Sequence, residues 1–114
     1  MSKPKGYDEI TFRMGGRDWT LRFRAMKHND GLTTFGKNII EIDQKLIGSE
    51  LRDVVVHELF EAASYELGCL YTRGYPDSRD CYHLTHTEMS QAMTMVRAAY
   101  DDLIPALGAK ARDV

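Results

Sequence analysis

Residues 39–61 read Ile39-Ile40-Glu41-Ile42-Asp43-Gln44-Lys45-Leu46-Ile47-Gly48-Ser49-Glu50-Leu51-Arg52-Asp53-Val54-Val55-Val56-His57-Glu58-Leu59-Phe60-Glu61, and the apolar period changes within them. Ile39 to Asp43 reads as a short strand with Ile40 and Ile42 on one side. From about Ser49 the spacing becomes three and four. Leu51, Val55, Leu59, Ala62, Ala63 and Leu67 form the apolar stripe of a helix that runs to about Leu70 and packs on a sheet. Ser49 or Asp43 can cap its start.

Upstream, the period is that of strands. Ile10, Phe12 and Met14 alternate with Thr11 and Arg13; beyond Gly15-Gly16, Trp19, Leu21 and Phe23 alternate with Thr20, Arg22 and Arg24. Two glycines between such runs supply the positive φ of a tight hairpin turn. The arginines then face water and Trp19 belongs to the core. Asn29-Asp30-Gly31 signals a turn, Leu32–Phe35 a third strand, and Gly36-Lys37-Asn38 a second tight turn. Strands joined so closely imply an antiparallel meander of about four strands.

Downstream, residues 71–81 have loop composition and Tyr82-His83-Leu84 reads as a brief extended segment. Thr85-His86-Thr87-Glu88 has the form of a capping box, a hydroxyl at the cap and a carboxylate three residues on. The helix it opens carries Met89, Ala92, Met93, Val96, Ala99, Tyr100 and Leu103 as its apolar stripe and is expected to end at Pro105. The expected fold is α+β: one domain over residues 1–114, a meander packed by two main helices, with residues 1–6 and 106–114 as flexible termini.

Composition narrows the classes. The chain has 114 residues, 43% apolar and 28% charged, the balance of a folded domain rather than a disordered one. No apolar run approaches the roughly 20 residues of a membrane span. The first residues lack a signal-peptide core, so a cytosolic protein is expected, with Cys69 and Cys81 as thiols outside any CxxC pair. Residues 1–27 hold seven Lys/Arg against three acids, a local +4 that leaves −6 elsewhere in a chain of net −2. The aromatic-plus-basic pattern of a nucleic-acid-binding sheet is missing, which argues against such a partner. Oligomeric state leaves no mark.

Within the first helix, His57 and Glu61 lie one turn apart and share a face, with Glu58 beside them. A hydrolytic metal site needs three protein ligands, an open position for water and a carboxylate to take that water's proton. His57 and Glu61 are spaced as two ligands and Glu58 as the base. His86, in the first turn of the second helix, is the expected third ligand, and His83 the alternative. Tyr82, His83 or Tyr75 could steady an oxyanion, Cys81 could intrude as a softer ligand, and the strand at Ile39–Asp43 could take a peptide at the sheet edge. The same spacing also describes an ordinary solvated carboxylate beside a histidine. His28 reads as a surface residue.

Residues 31–104 resemble the minimal core of zincin-type metallopeptidases, especially small ones from phages and their hosts. The order is similar: Gly36–Asp43, then Val54-Val55-Val56-His57-Glu58-Leu59 on a helix. The stretch also looks like uncharacterised phage proteins in which an HEL(L/F)E helix precedes a Thr-His motif, as at Thr85-His86. The resemblance implies His57 as first ligand, Glu58 as general base, Glu61 in the second ligand position and His86 in the third. Zinc is the implied ion. The family pattern has histidine where Glu61 stands, and a two-His-one-carboxylate set also suits Fe2+ or Mn2+. The added charge weakens the metal as a Lewis acid, and a lineage that kept the fold but lost catalysis would show the same change. The expected function is a metal-dependent hydrolase, a small peptidase whose metal-bound water Glu58 deprotonates. The alternatives are a non-catalytic adaptor or phage accessory protein, metal-stabilised or metal-free, and a nucleic-acid accessory protein using the basic hairpin.

Overall fold

Gly15 and Gly16 sit at φ 61° and 82°, the paired positive values that fold two alternating strands into a tight hairpin. In this computed structural model, which describes residues 9–68 and 84–112, the hairpin joins β1 (Glu9–Met14) to β2 (Arg17–Arg24), with Met14 opposite Arg17. Next come β3 (Gly31–Thr34), β4 (Ile39–Asp43), helix α1 (Gly48–Glu66), helix α2 (His86–Leu107) and a 3-10 turn at Gly108–Ala111.

The α+β class holds, but the sheet is mixed rather than an antiparallel meander. Its strand order is β1-β2-β4-β3, with β4 parallel to β2 in the register Thr20↔Ile39 to Arg24↔Asp43. Parallel neighbours need a crossover of about a dozen residues, and residues 25–38, β3 included, supply it. Burial explains the exchange. β4 offers Ile40 and Ile42 to one face and Glu41 to the other, all buried, so it gains most from a central place. β3, with Leu32 exposed, occupies the edge. The peptide-binding edge expected at Ile39–Asp43 is therefore interior, and the free edge on that side is β3.

Both helices close over one face of the sheet. Phe12, Met14, Trp19, Leu21, Phe23, Ile40 and Ile42 meet Leu51, Val55, Leu59, Ala62 and Ala63 from α1 and Ala92, Val96, Ala99 and Leu103 from α2 in one core. Each fully buried leucine contributes about 1.5–3 kcal/mol. Trp19 Nε1 donates to Glu66 Oε2 at 2.8 Å, fixing the hairpin against the end of α1. On the opposite face, Glu41 accepts from Arg22 and Arg24 at 3.2 and 3.1 Å.

The helix boundaries depart from the sequence reading in three places. Ile47, not Ser49 or Asp43, is the N-cap of α1, and no side chain caps it. The helix stops at Glu66 because Gly68, at φ 74°, turns the chain left-handed and donates its N–H to Tyr65 O. Pro105 lies inside α2 rather than ending it; helix continues to Leu107, whose side chain and that of Ala111 are buried in the core. A proline in the last turn sacrifices one backbone bond there, and burial of Leu107 and Ala111 offsets it. The tail expected to be flexible is thus packed through Ala111, with Arg52 donating to Ala111 O and Lys110 to Gln44 O. The capping box stands as read: Glu88 N donates to Thr85 Oγ1 and Thr85 N to Glu88 Oε1. Met89 and Met93, placed in the apolar stripe, are 44% and 50% exposed. Among the described residues no helix is long and apolar enough to cross a membrane.

Candidate metal centre

The run Val54-Val55-Val56-His57-Glu58-Leu59 places Val55 and Leu59 in the core, which rotates Glu58 toward β3 and leaves His57 at the rim. The Glu58 side chain is only 7% exposed, whereas that of His57 is 67% exposed and that of Glu61 19%. His57 Nε2 lies 2.9 Å from Glu61 Oε2 and 3.9 Å from Glu58 Oε2. One donor atom from each of the three lies within 4.8 Å of the others. Tetrahedral ligands held about 2.0–2.1 Å from zinc are separated by about 3.3 Å, a value that the 2.9 and 3.9 Å separations from His57 bracket. Among the described residues no other group of three or more His, Cys, Asp or Glu gathers in this way.

The edge strand completes the setting. Thr33 Oγ1 donates to Glu58 Oε1 at 2.6 Å, which leaves Glu58 Oε2 without a hydrogen bond among the described residues. Gly31 sits so close to α1 that an added Cβ would come within 2.9 Å of Val54 Cγ1 and 3.0 Å of Glu58 Cγ. Burial pushes the Glu58 carboxyl above its ordinary value; the Thr33 hydrogen bond lowers it, the Glu61 carboxylate raises it and His57 lowers it, in decreasing order of weight. The result is a desolvated carboxyl with one oxygen held and the other facing a cleft of about 390 Å³, lined also by Asn29, Asp30, Gly31 and Asp53.

His57, Glu58 and Glu61 come together as their spacing implied; His86 does not join them. Arg52 near the start of α1 meets Ala111, and Leu67 beyond its end shares a groove with Thr87, so the helices run antiparallel. Leu67 lies ten residues past His57, about 15 Å along the axis. His86 opens α2 at that far end, exposed to solvent. His28 is exposed, as read. His83, Tyr75, Tyr82 and Cys81 lie outside the described residues.

Sequence reasoning missed Thr33, Asp30 and Asp53. Asp53 had a usable signal, one turn before His57 on the same face. Thr33 had none, because its role depends on which strand takes the edge. No known family model matches the chain, and neither does any curated protein or solved structure.

Proposed function

We propose that the chain is a metal-dependent hydrolase, a small zincin-like peptidase, with His57 and Glu61 as ligands and Glu58 as general base. The observation that supports this most is the convergence of one imidazole and two carboxylates within 4.8 Å beside an open cleft. Zinc in such a set supplies Lewis acidity, polarising a carbonyl and lowering the pKa of water. Glu58 does the proton work. Thr33 holds Oε1, so Oε2 takes a proton from water entering the cleft, and burial keeps that proton on the carboxyl until the leaving amine accepts it. His83 is the candidate for a third ligand, His86 being held apart. Zinc is the first choice of ion, with Fe2+ and Mn2+ compatible. The free edge of β3, which begins beside the cleft, suits an extended peptide.

A second reading, an adaptor acting through protein contacts, is favoured by the 2.9 Å His57–Glu61 separation, which an ordinary ion pair one helical turn apart also explains. The nucleic-acid reading draws little support from the hairpin, since Arg13, Arg17, Arg22 and Arg24 each face a carboxylate within 3.4 Å. Metal analysis of the purified chain separates these. Near-stoichiometric zinc, lost in His57→Ala but retained in Glu58→Gln with peptide hydrolysis abolished, is the expected result. A chain that takes up no divalent ion overturns the hydrolase.

A further inference from the structure

The sheet face turned away from the helices carries a second cleft, of about 350 Å³, against the edge strand β3. Arg24, Met26, Lys27 and His28 line it together with Leu32 and Glu41. Its one acid, Glu41, is buried and already held by Arg22 and Arg24. Arg13, Arg17, Arg22 and Arg24 each meet a carboxylate. Lys27 and His28 are exposed, and among the described residues neither side chain has an ion pair or hydrogen bond. The cleft is therefore positive, with Leu32, 45% exposed, as its apolar rim.

An independent observation is the backbone of β3. Asp43 N donates to Asp30 O at 2.8 Å, which fixes the alternation of the antiparallel β3–β4 ladder. Leu32 and Thr34 then bond to β4, while Gly31 and Thr33 turn their N–H and C=O groups to the free edge. Among the described residues nothing takes those groups. The strand itself, Gly-Leu-Thr-Thr, carries none of the charges that blunt an edge. Charge argues against a second copy as the occupant. Antiparallel self-pairing about Leu32 and Thr33 sets Lys27 of one chain beside Lys37 of the other. We propose that β3 takes up an extended peptide segment whose side chains on the open face are acidic. The inference rests on the reading above only in its choice of the β3 edge, and names the chemistry that the edge selects. Side chains of an added strand alternate between the two faces of the sheet. Those on the open face meet Lys27, His28 and the N–H groups that Arg24 does not give to Glu41. Those on the other face turn toward the cleft of His57 and Glu58.

The test is equilibrium binding of short peptides to the purified chain at low ionic strength. The probes are peptides blocked at both ends in which threonine alternates with glutamate, glutamine or lysine. The glutamate peptide is expected to bind about three- to thirtyfold more tightly than the glutamine peptide, and the lysine peptide more weakly than either. In the Lys27→Gln, His28→Gln double variant that preference is expected to fall close to unity. Two further glutamate peptides report on the edge, one N-methylated at its threonine amides and the other at its glutamate amides. One set of amides faces β3 and the other faces away, so a single isomer is expected to lose binding. Loss in the threonine isomer marks antiparallel addition, and loss in the glutamate isomer marks parallel addition. Equal binding of glutamate and glutamine peptides, or a preference that survives in the double variant, overturns the inference. So do equal effects of the two methylations, and so does absence of all binding, as when a second copy holds the edge. Zinc content of the same samples reports on the hydrolase alone. A chain that prefers acidic peptides but holds no metal keeps this inference and loses that one; a zinc-loaded chain blind to charge does the reverse.

Discussion

The Thr33 hydroxyl donates a 2.6 Å hydrogen bond to Glu58 Oε1, linking the edge strand of the sheet to the middle of α1. Both residues are buried, so the bond forms away from competing water. It fixes one carboxylate oxygen and turns the other toward the cleft. Thr33→Val is expected to cost about 1.5–3 kcal/mol, the worth of a hydrogen bond to a charged group. Urea unfolding measures it, and Thr33→Ser, which keeps the hydroxyl, should recover most of the loss.

Glu58 also sets a pH dependence. Its folded pKa is raised above 4.5, chiefly by burial, so the folded state binds the proton more tightly than the unfolded chain does. The stability this contributes is complete below the unfolded value and is lost as pH rises through the raised folded value. In chelator-treated protein, the urea midpoint of wild type should therefore fall relative to that of Glu58→Gln as pH rises across that window. A constant difference between the two from pH 4 to 8 would contradict the assignment.

Gly31 is required by close approach rather than by backbone angle. A methyl group there would meet Val54 and Glu58 at 2.9–3.1 Å. Gly31→Ala is expected to lower stability by about 1–3 kcal/mol, as overpacking does. Any zinc affinity of the proposed site should fall with it, because relief of the contact moves α1. Leu32→Thr, at the exposed neighbouring position, should leave both within error.

Helix direction separates Glu61 from His86. If the proposed site holds zinc, Glu61→Gln should weaken its binding by more than about 100-fold, beyond the 10–100-fold typical of residues that only orient a ligand. His86→Ala should leave the affinity unchanged, since His86 stands at the other end of the helix pair. Isothermal titration of both variants distinguishes them. An equal loss in the two would return His86 to the site.

The stripe of α2 yields a last check. Met89→Ser and Met93→Ser are expected to change stability by less than about 0.5 kcal/mol, as exposed positions do, whereas Leu103→Ala should cost about 2–5 kcal/mol. Thermal unfolding reads the contrast.

The sequence by itself determined what depends on neighbours along the chain. Alternation at Phe12, Met14, Trp19, Leu21 and Phe23 gave the buried face of a hairpin, Gly15-Gly16 its turn, and Thr85 with Glu88 the capping box. The spacing of His57 and Glu61 brought them together for the same reason, because a helix fixes the geometry of i and i+4. Tertiary structure alone decided what depends on residues distant in sequence. It put β4 between β2 and β3, so that Thr33 rather than any nearby residue meets Glu58. It also set the two helices antiparallel, which carries His86 away from His57. The physical reason is common to both. Strand order and helix direction are chosen by burying the most apolar surface, and that choice is made over the whole core, not within any one segment.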